Sequence, residues 1–236
     1  METEFDNVVV VTGTDTEIGK TTVAAGVVRA LSNRGHDVRA IKPVESGLER
    51  LEPSERDSAI LAAASRQESP KKAFDQLDAP LAPPEAAELE GIDLVMEDWV
   101  DRIGPIAQEA DWVVVEGAGG LLSPLTWGEN TLDLARRLRA KALVVAPNQL
   151  GVLNHTLLTL RALRDESIPL AGVVFNATED SAEEDPSIPK NLETFQTVSG
   201  VDRIVDCPRV DDWRDTVEPL TNVADWIIGR QWEEGA

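Results

Sequence analysis

The sequence predicts an α/β fold with a mainly parallel, doubly wound sheet that carries helices on both faces. Short runs rich in valine and alanine alternate along the chain with longer segments whose apolar residues recur at helical spacing. A glycine-bearing turn joins the first of these runs to the first helical segment. The 236 residues, of which 42% are hydrophobic, suffice for one large domain, so we expect a single domain over 1–236.

The N-terminal elements follow from local sequence. Phe5–Val11 is an apolar, valine-rich run, which is typical of a strand buried in a parallel sheet. Thr21–Asn33 places small and apolar residues at helical spacing, and Gly35 supplies the stop signal. Val38–Ile41 predicts a second strand, so the chain begins with a strand–helix–strand unit.

A less regular region follows the second strand. Asp57–Ser65 predicts a helix with Asp57 as its N-cap, because an aspartate side chain can accept a backbone N–H there. Residues 66–94 are rich in proline, charge and alanine, which predicts loops and short helical pieces. Leu94–Glu109 predicts a longer helix that Gly104-Pro105 interrupts or bends.

The C-terminal half continues the alternation. Thr178–Ser187 is rich in acidic residues and has no apolar face, so we expect an exposed loop there. The predicted strands are Trp112–Val115, Ala142–Ala146, Leu170–Phe175 and Arg203–Val205, and the predicted helices are Leu132–Leu138, Val152–Arg164, Asn191–Val198 and Val217–Ile228.

Composition excludes several classes of function. The 43 acidic and 22 basic residues give a formal charge of −21, which repels nucleic acid and anionic membranes, so we expect neither as a partner. The acidic N-terminus lacks the layout of a signal peptide, and no apolar run is long enough to span a bilayer. With Cys207 as the single cysteine, no internal disulfide or cysteine-based zinc cluster can form. We expect a cytoplasmic protein.

The surface charge also bears on the source of the chain. Lysine is scarce beside arginine and occurs only at positions 20, 42, 71, 72, 141 and 190. An acidic, lysine-poor surface is typical of proteins that work in concentrated salt, where screening removes the cost of self-repulsion. We therefore expect a halophilic source, and an acidic enzyme from a low-salt environment is the alternative.

The sharpest local signal is the segment from Gly13 to Thr21, Gly-Thr-Asp-Thr-Glu-Ile-Gly-Lys-Thr, between the first strand and the first helix. The backbone N–H groups of such a turn and the positive end of the helix favour phosphate oxygens. We expect Lys20 to reach the β- and γ-phosphates and the Thr21 hydroxyl to ligate magnesium. The loop is one residue longer than the standard pattern, and it predicts a nucleotide site in a fold of the P-loop NTPase type.

Two other interpretations of this segment carry less weight. An ordinary glycine turn could precede Lys20, but strand, turn, Gly-Lys-Thr and helix occur here in the order that a phosphate loop requires. Partition and metal-pump ATPases carry a second lysine near the start of the loop. No lysine lies between Met1 and Lys20, which argues against that class.

Further polar residues fall where strands of the predicted sheet end. Lys42 follows the second strand, Glu116 the third and Asn176 the fifth. Ligands of open parallel sheets bind outside the carboxyl ends of the strands. These side chains and the phosphate loop therefore predict one site.

Each of these residues also has a purely structural interpretation. Lys42 could be a solvated loop lysine, and Glu116 could cap the flexible glycine-rich turn that follows it. The N-cap interpretation of Asp57 is as good as a functional one. Gly151 and Asn154 are, from pattern alone, better explained as the cap of the helix that follows.

Four segments together resemble the motifs of dethiobiotin synthetases, in the family's order and at comparable spacing. The resemblance covers about residues 8–176, and the additional residue in the phosphate loop is the family's form. The four segments are Gly13–Thr21, Lys42-Pro-Val-Glu-Ser-Gly47, Glu116-Gly-Ala-Gly-Gly120 and Leu150-Gly-Val-Leu-Asn-His155.

The resemblance implies an ATP- and Mg²⁺-dependent cyclo-ligase of biotin biosynthesis. Such an enzyme converts 7,8-diaminononanoate, CO2 and Mg-ATP into dethiobiotin, ADP and phosphate. One amine becomes a carbamate, a carbamate oxygen attacks the γ-phosphorus, and the second amine closes the ureido ring as phosphate leaves.

The resemblance also assigns roles around the phosphates. Lys20, Lys42 and Thr16 would be catalytic, and the two lysines would supply fixed positive charge where carbamate and triphosphate meet. Ser46 would hydrogen-bond the diamine or the carbamate. Magnesium would be ligated by Thr21, Asp57 and Glu116. The nucleotide would contact Thr16, Glu17, Ile18, Gly19, Lys20, Thr21, Thr22, Asp57, Glu116, Gly117, Ala118 and Gly119.

The same resemblance implies a site for the base. Asn176 would read the adenine edge, with Cys207, Pro208 and Arg209 against the base. The chain departs from the family pattern nearby, because Val205 stands where glycine is common. A second departure is Pro84, where histidine is common. The preference for ATP over other nucleotides therefore stays open.

A homodimer is implied by resemblance rather than by pattern. In the family the substrate carboxylate is held across a dimer interface at a helix N-terminus. That site corresponds here to Gly151, Val152 and Asn154, and the positive end of the helix suits a carboxylate.

Two other functions are the alternatives to the diamine ligase. An amide-forming ligase of cobalamin synthesis would need a glutaminase domain with a nucleophilic cysteine, for which the chain length and the lone Cys207 leave no room. A nucleotide switch or partition ATPase would use ATP hydrolysis to change partners. Turnover that depends on the diamine would separate the ligase from the switch.

Overall fold

The computed structural model describes residues 6–177 and 186–229. The strands are β1 Val8–Gly13, β2 Val38–Ile41, β3 Val44–Glu45, β4 Asp75–Gln76, β5 Trp112–Gly120, β6 Lys141–Pro147, β7 Leu170–Asn176 and β8 Ile204–Cys207. The α-helices are α1 Lys20–Asn33, α2 Asp57–Ser65, α3 Pro83–Glu90, α4 Met96–Glu109, α5 Thr131–Arg137, α6 Val152–Asp165, α7 Ile188–Ser199 and α8 Thr221–Ile228. Short 3₁₀ turns lie at Leu48–Arg50 and Trp213–Thr216.

Six strands form the central sheet in the order β2-β5-β1-β6-β7-β8, and all five neighbouring pairs are parallel. Strands β3 and β4 form a separate parallel pair beside it. The doubly wound parallel α/β fold predicted from the sequence is confirmed.

The two faces of the sheet bury separate apolar clusters, because side chains alternate sides along a strand. In β1, Val8 and Val10 pack with residues of α3 to α7, whereas Val9 and Val11 pack with α1, α2 and α8. All four valines are fully buried, and each contributes roughly 1.5–3 kcal/mol through burial. The continuous valine run of β1 is thus explained by helices on both faces.

The register of the sheet gathers polar residues at its carboxyl edge. Ile41 of β2 lies opposite Val115 of β5, and Val11 of β1 lies opposite Glu116. Lys42, which follows β2, and the loop after β1 therefore lie on either side of Glu116. The alignment of β2, β5 and β1 therefore sets the relative positions of Lys42, Glu116 and the loop after β1.

Several boundaries differ from the sequence prediction. Strand β5 does not end at Val115 but continues to Gly120, because the glycine-rich stretch pairs with the end of β1 at Gly13. Helix α4 runs through Pro105 as one element over Met96–Glu109. The predicted helix from Val217 begins only at Thr221.

The other predicted elements are found within a few residues of their expected positions. The predicted acidic loop at Thr178–Ser187 lies outside the described residues except for its last two. Within the described ranges, no helix is long and apolar enough to cross a membrane.

Candidate functional site

The segment between β1 and α1 has the backbone of a phosphate-binding loop. Glu17 and Gly19 have positive φ angles of 54° and 84°, so the chain turns sharply just before Lys20 opens the helix. A Cβ atom at Gly19 would lie 2.2 Å from Nδ2 of Asn176. Only glycine combines this φ angle with this close approach. The Thr16 N–H donates to Oδ1 of Asp15 at 2.8 Å.

Lys42 lies at the centre of a buried charge cluster. Its ammonium lies 2.7 Å from Oδ2 of Asp57 and 2.7 Å from Oε1 of Glu116, and it also donates to the Gly117 carbonyl at 3.2 Å. The Lys42 and Glu116 side chains are 4% and 1% exposed. Lys42 is therefore not a solvated loop lysine, and the Glu116 carboxylate contacts Lys42 and Thr21 instead of capping the turn.

Lys42 and Asp57 favour each other's ionised state, whereas burial opposes the ionisation of Glu116. Burial alone would lower the pKa of Lys42, but Asp57 and Glu116 raise it above its usual value. Burial also acts to raise the pKa of Asp57, yet the Lys42 charge and hydrogen bonds from Lys42 and Thr21 lower it overall. For Glu116, which is wholly enclosed, burial outweighs the Lys42 charge and raises the pKa.

Three hard oxygen donors converge beside this lysine. The Thr21 hydroxyl donates to Oε1 of Glu116 at 2.8 Å and also hydrogen-bonds Asp57. Oε2 of Glu116 is buried and has no hydrogen-bond partner among the described residues. A buried, unpaired carboxylate oxygen is costly unless a ligand satisfies it, and a divalent cation would do so. The donor set Thr21, Asp57 and Glu116 therefore fits Mg²⁺.

Within the described residues there is no group of three or more histidine, cysteine, aspartate or glutamate side chains that could hold a metal by themselves. Two carboxylates and a hydroxyl suit Mg²⁺, which keeps several waters and takes phosphate oxygens as further ligands. The donor set is thus of the kind that nucleotide-bound magnesium requires.

A second positive charge lies in the phosphate loop itself. Lys20 is 7% exposed, and its ammonium donates to the Asp15 carbonyl at 2.8 Å. Burial, followed by repulsion from Lys42, lowers the pKa of Lys20. The charge of Lys42 therefore acts on Lys20.

Asn176, at the end of β7, reaches across to the phosphate loop. It is 4% exposed, and its amide donates to the Ile18 carbonyl at 3.0 Å. In this structure its amide nitrogen fixes the loop, and the contact to adenine expected from the resemblance stays a prediction. The same holds for the segment after β8, where Cys207 is buried while Pro208 and Arg209 are exposed.

The remaining predicted residues lie at other places on this side of the sheet. The Ser46 hydroxyl donates to the Leu81 carbonyl at 2.8 Å and so ties its own segment to the neighbouring loop. Gly151 occupies the N-cap position of α6 with a φ angle of 94°, as the pattern predicted. Val152 is buried, and Asn154 is exposed on the first turn of α6. Their expected role toward a carboxylate stays a prediction.

One prediction about α2 was wrong. Asp57 is not the N-cap but the first residue of the helix, and Arg56 occupies the cap position without a capping side chain. The carboxylate of Glu45 takes the helix N–H groups instead, which leaves Asp57 free to contact Lys42. Sequence analysis predicted no role for Glu45. The only signal that could have indicated one was its position in the segment from Lys42 to Gly47.

Comparison with known proteins identifies the family of this chain. The family model described as an AAA domain matches residues 7–216. The ATP-dependent dethiobiotin synthetase BioD of Anaeromyxobacter dehalogenans strain 2CP-C is 45% identical over 183 residues, which cover 77% of this chain and 80% of that protein. The corresponding enzyme of Bacillus subtilis subsp. natto is 36% identical over 198 residues, covering 81% and 82%.

Among solved structures, the MinC:MinD cell division protein complex of Aquifex aeolicus superposes with a TM-score of 0.60 at 16% sequence identity, covering 95% of this chain and 96% of that one. At this identity the likeness concerns the fold alone, which is that of P-loop nucleotide-binding proteins. The extent and identity of the sequence matches decide the family: the chain belongs to the ATP-dependent dethiobiotin synthetases, as its four ordered motifs indicated.

Proposed function

We propose that this chain is an ATP-dependent cyclo-ligase that forms dethiobiotin from 7,8-diaminononanoate and CO2, with release of ADP and phosphate. The observation that carries the proposal is the buried pair of Lys42 and Glu116, with the partly exposed Asp57 against Lys42, beside the Thr21 end of the phosphate loop. A loop that only bound nucleotide would not need a second buried lysine at this position.

The chemistry explains why two lysines are buried here. One amine of the substrate attacks CO2 and loses a proton, which gives a carbamate anion. The carbamate oxygen must then approach the γ-phosphorus of ATP, so two negative groups meet. Lys20 and Lys42 are held in place before the substrates arrive, and fixed charges stabilise such a transition state without reorganisation.

Lys42 has three acceptors for its three N–H groups: Asp57, Glu116 and the Gly117 carbonyl. To contact a phosphate or carbamate oxygen it exchanges one of them. The Gly117 contact, at 3.2 Å, is the longest of the three and the one most readily replaced. Attack of the carbamate oxygen on the γ-phosphorus expels ADP and gives a mixed carbamic–phosphoric anhydride. The second amine of the same substrate then attacks the carbonyl carbon and loses a proton, phosphate leaves, and the ring closes. This step gains from proximity, because both amines belong to one bound molecule.

Magnesium would be held by Thr21, Asp57 and Glu116, and it would neutralise charge on the phosphate oxygens of ATP. Glu17, Ile18, Gly19 and Thr22 would line the phosphates with Thr16 as a further catalytic contact. We assign Ser46 to the diamine or carbamate, and Asn176 with 207–209 to the base.

We further propose that the enzyme works as a homodimer, with Gly151, Val152 and Asn154 binding the substrate carboxylate across the interface. Large apolar side chains support an interface here. Leu150 and Leu158 are 79% and 62% exposed, and Leu158 lies one turn after Asn154 on the same face of α6. Leu122 and Trp127, in the loop after β5, are also mostly exposed.

A pair of substitutions tests the dimer. Leu158→Asp is expected to give monomers in sedimentation experiments and to raise the KM for the diamine. Leu89→Asp changes an equally exposed leucine (71%) on α3 and serves as the control, which should remain dimeric. Monomeric wild-type enzyme, or a dimer unaffected by Leu158→Asp, would refute this interface.

Four further proposals concern the whole chain. We place the enzyme in the cytoplasm of a halophilic organism, as a single domain over 1–236, without nucleic-acid or membrane partners. The formal charge of −21 and the six lysines support the salt environment and the absence of polyanionic partners.

The proposed reaction is tested by the release of phosphate from Mg-ATP and bicarbonate, with and without 7,8-diaminononanoate, over a range of KCl concentrations. We expect release that requires the diamine and that Lys42→Ala abolishes. Diamine-independent hydrolysis would instead indicate a nucleotide switch.

A further inference from the structure

Glu45 is a buried carboxylate with no role in the proposed reaction. It is the second residue of β3 and is 4% exposed. Its Oε1 accepts the backbone N–H of Asp57 at 2.5 Å, and its Oε2 accepts the Ser58 hydroxyl at 2.7 Å and the Ser58 N–H at 3.4 Å. Both oxygens are therefore used at the first turn of α2.

These contacts make Glu45 the cap of a helix to which it does not belong. The first N–H groups of a helix have no partner within it and are usually satisfied by the residue just before the helix. Arg56 holds that position in α2 and makes no capping side-chain hydrogen bond. Glu45 supplies the missing acceptor, and a carboxylate is favoured at the positive end of the helix.

Capping by Glu45 decides what Asp57 can do. An aspartate at the start of a helix competes for the free N–H groups of its own first turn. Because Glu45 already accepts the Asp57 and Ser58 N–H groups, the Asp57 carboxylate turns to the Lys42 ammonium at 2.7 Å. Capping by Glu45 therefore leaves the Asp57 carboxylate available to contact Lys42.

Glu45 also links the segment that follows Lys42 to the helix that carries Asp57. It lies three residues after Lys42, in the parallel pair of β3 and β4, so its position is fixed relative to the lysine. Through its hydrogen bonds the same short segment holds the helix that carries Asp57. One side chain thus links the segment after Lys42 to the first turn of α2.

We propose that Glu45 is a positioning residue that sets the Asp57 carboxylate against Lys42 and so preorganises the magnesium–nucleotide site. This inference rests on the proposed function for the role of Asp57 and Lys42. Removal of Glu45 frees two N–H groups beside the Asp57 carboxylate, which can turn back to accept them and so leave the site.

The test measures Mn²⁺ affinity in the presence of ADP, by electron paramagnetic resonance, without diamine. Glu45→Ala is expected to weaken Mn²⁺ binding about 10- to 100-fold, the range typical for loss of a group that orients a metal ligand. Affinity for ADP without metal should stay within twofold, because the phosphate loop is unchanged. Glu45→Gln keeps one acceptor for the Asp57 N–H and should show an intermediate loss.

Asn130→Ala is the matched control. The Asn130 side chain accepts the N–H groups of Leu132 and Asp133 at 2.9 and 3.2 Å, so it caps α5 as Glu45 caps α2. No predicted site residue lies on α5. Both alanine variants should unfold at lower temperature, but only Glu45→Ala should lose Mn²⁺ affinity.

Two outcomes would overturn the proposal. The first is a Glu45→Ala variant that loses thermal stability as Asn130→Ala does, with Mn²⁺ affinity unchanged. If Glu45→Ala does not fold, Glu45→Gln decides, and Mn²⁺ affinity within twofold of wild type refutes the role. Failure of the proposed reaction is recognised separately, as absence of diamine-dependent turnover in the wild-type enzyme.

Discussion

The ammonium of Lys42 lies 2.7 Å from Oε1 of Glu116, and the two side chains are almost completely buried. Removal of one member of such a pair leaves an uncompensated charge in the interior, whereas removal of both charges together is far less costly. Each side chain of the pair therefore depends on the other for its stability in the folded protein. Comparing removal of Lys42 alone with removal of both charges therefore separates the effect of Lys42 on folding from its effect on catalysis.

Lys42→Met is expected to lower the free energy of unfolding by roughly 3–5 kcal/mol, because Glu116 loses its counter-charge while remaining buried. The double variant Lys42→Met, Glu116→Gln should recover most of this loss, since Asp57 is 36% exposed and can be solvated. Urea unfolding measures the free energy of unfolding of the single and the double variant. Diamine-dependent phosphate release should be absent in both, and a double variant as unstable as the single one would contradict the prediction.

Gly19→Ala is expected to abolish nucleotide binding. The new Cβ would lie 2.2 Å from Nδ2 of Asn176, and the residue would keep an unfavourable φ angle of 84°. The resulting shift breaks the Asn176 contact to Ile18 and distorts the loop. Equilibrium binding of a fluorescent ADP analogue is the measurement.

Gly35→Ala separates these two causes. Gly35 has a φ angle of 89°, but a Cβ there would meet no atom within 4 Å. Gly35→Ala should lower the free energy of unfolding by about 1 kcal/mol through backbone strain and leave nucleotide affinity unchanged. Equal loss of affinity in both variants would show that the close approach at Gly19 is unimportant.

Cys207 is expected to resist thiol reagents in the folded protein. Burial, with the neighbouring Asp206 charge, raises the pKa of the thiol from 9.0 to about 11, and only the thiolate reacts. Labelling by a disulfide reagent at pH 8 should be ~100-fold slower than in urea, where the pKa returns to 9.0.

The same shift links Cys207 to stability. The folded state keeps the thiol proton between about pH 9 and 11, where the unfolded chain has lost it. The contribution of Cys207 is therefore present below pH 9 and is lost as the pH rises through this window. Cys207→Ser should flatten that part of the stability profile, and rapid labelling of the native protein at pH 8 would contradict both expectations.

The acidic surface predicts a dependence of stability on salt. With a formal charge of −21, self-repulsion destabilises the folded chain at low ionic strength. The melting temperature should rise steeply as KCl increases from 0.05 to about 1 M, where the screening length falls to about 3 Å. Sucrose at equal osmolality does not screen charge and is the control. An equal response to both solutes would exclude screening as the cause.

Much of this molecule follows from its sequence alone. The valine runs predicted the strands of the central sheet, because a strand covered on both faces needs continuous apolar side chains. The loop from Gly13 to Lys20 predicted the phosphate site, because its glycines and lysine act through local backbone geometry. The four ordered motifs predicted the family, which the comparisons confirm.

Other features depend on contacts between distant parts of the chain, and only the tertiary structure decided them. Strand β5 runs on to Gly120 because β1 lies beside it, which no local pattern in the glycine-rich stretch shows. Asp57 has the sequence context of an N-cap, but its carboxylate contacts Lys42, while Glu45, twelve residues earlier, accepts the first N–H groups of the helix. Local propensity fixes what a residue can do, whereas competition between distant hydrogen-bond partners decides which of these possibilities the fold uses.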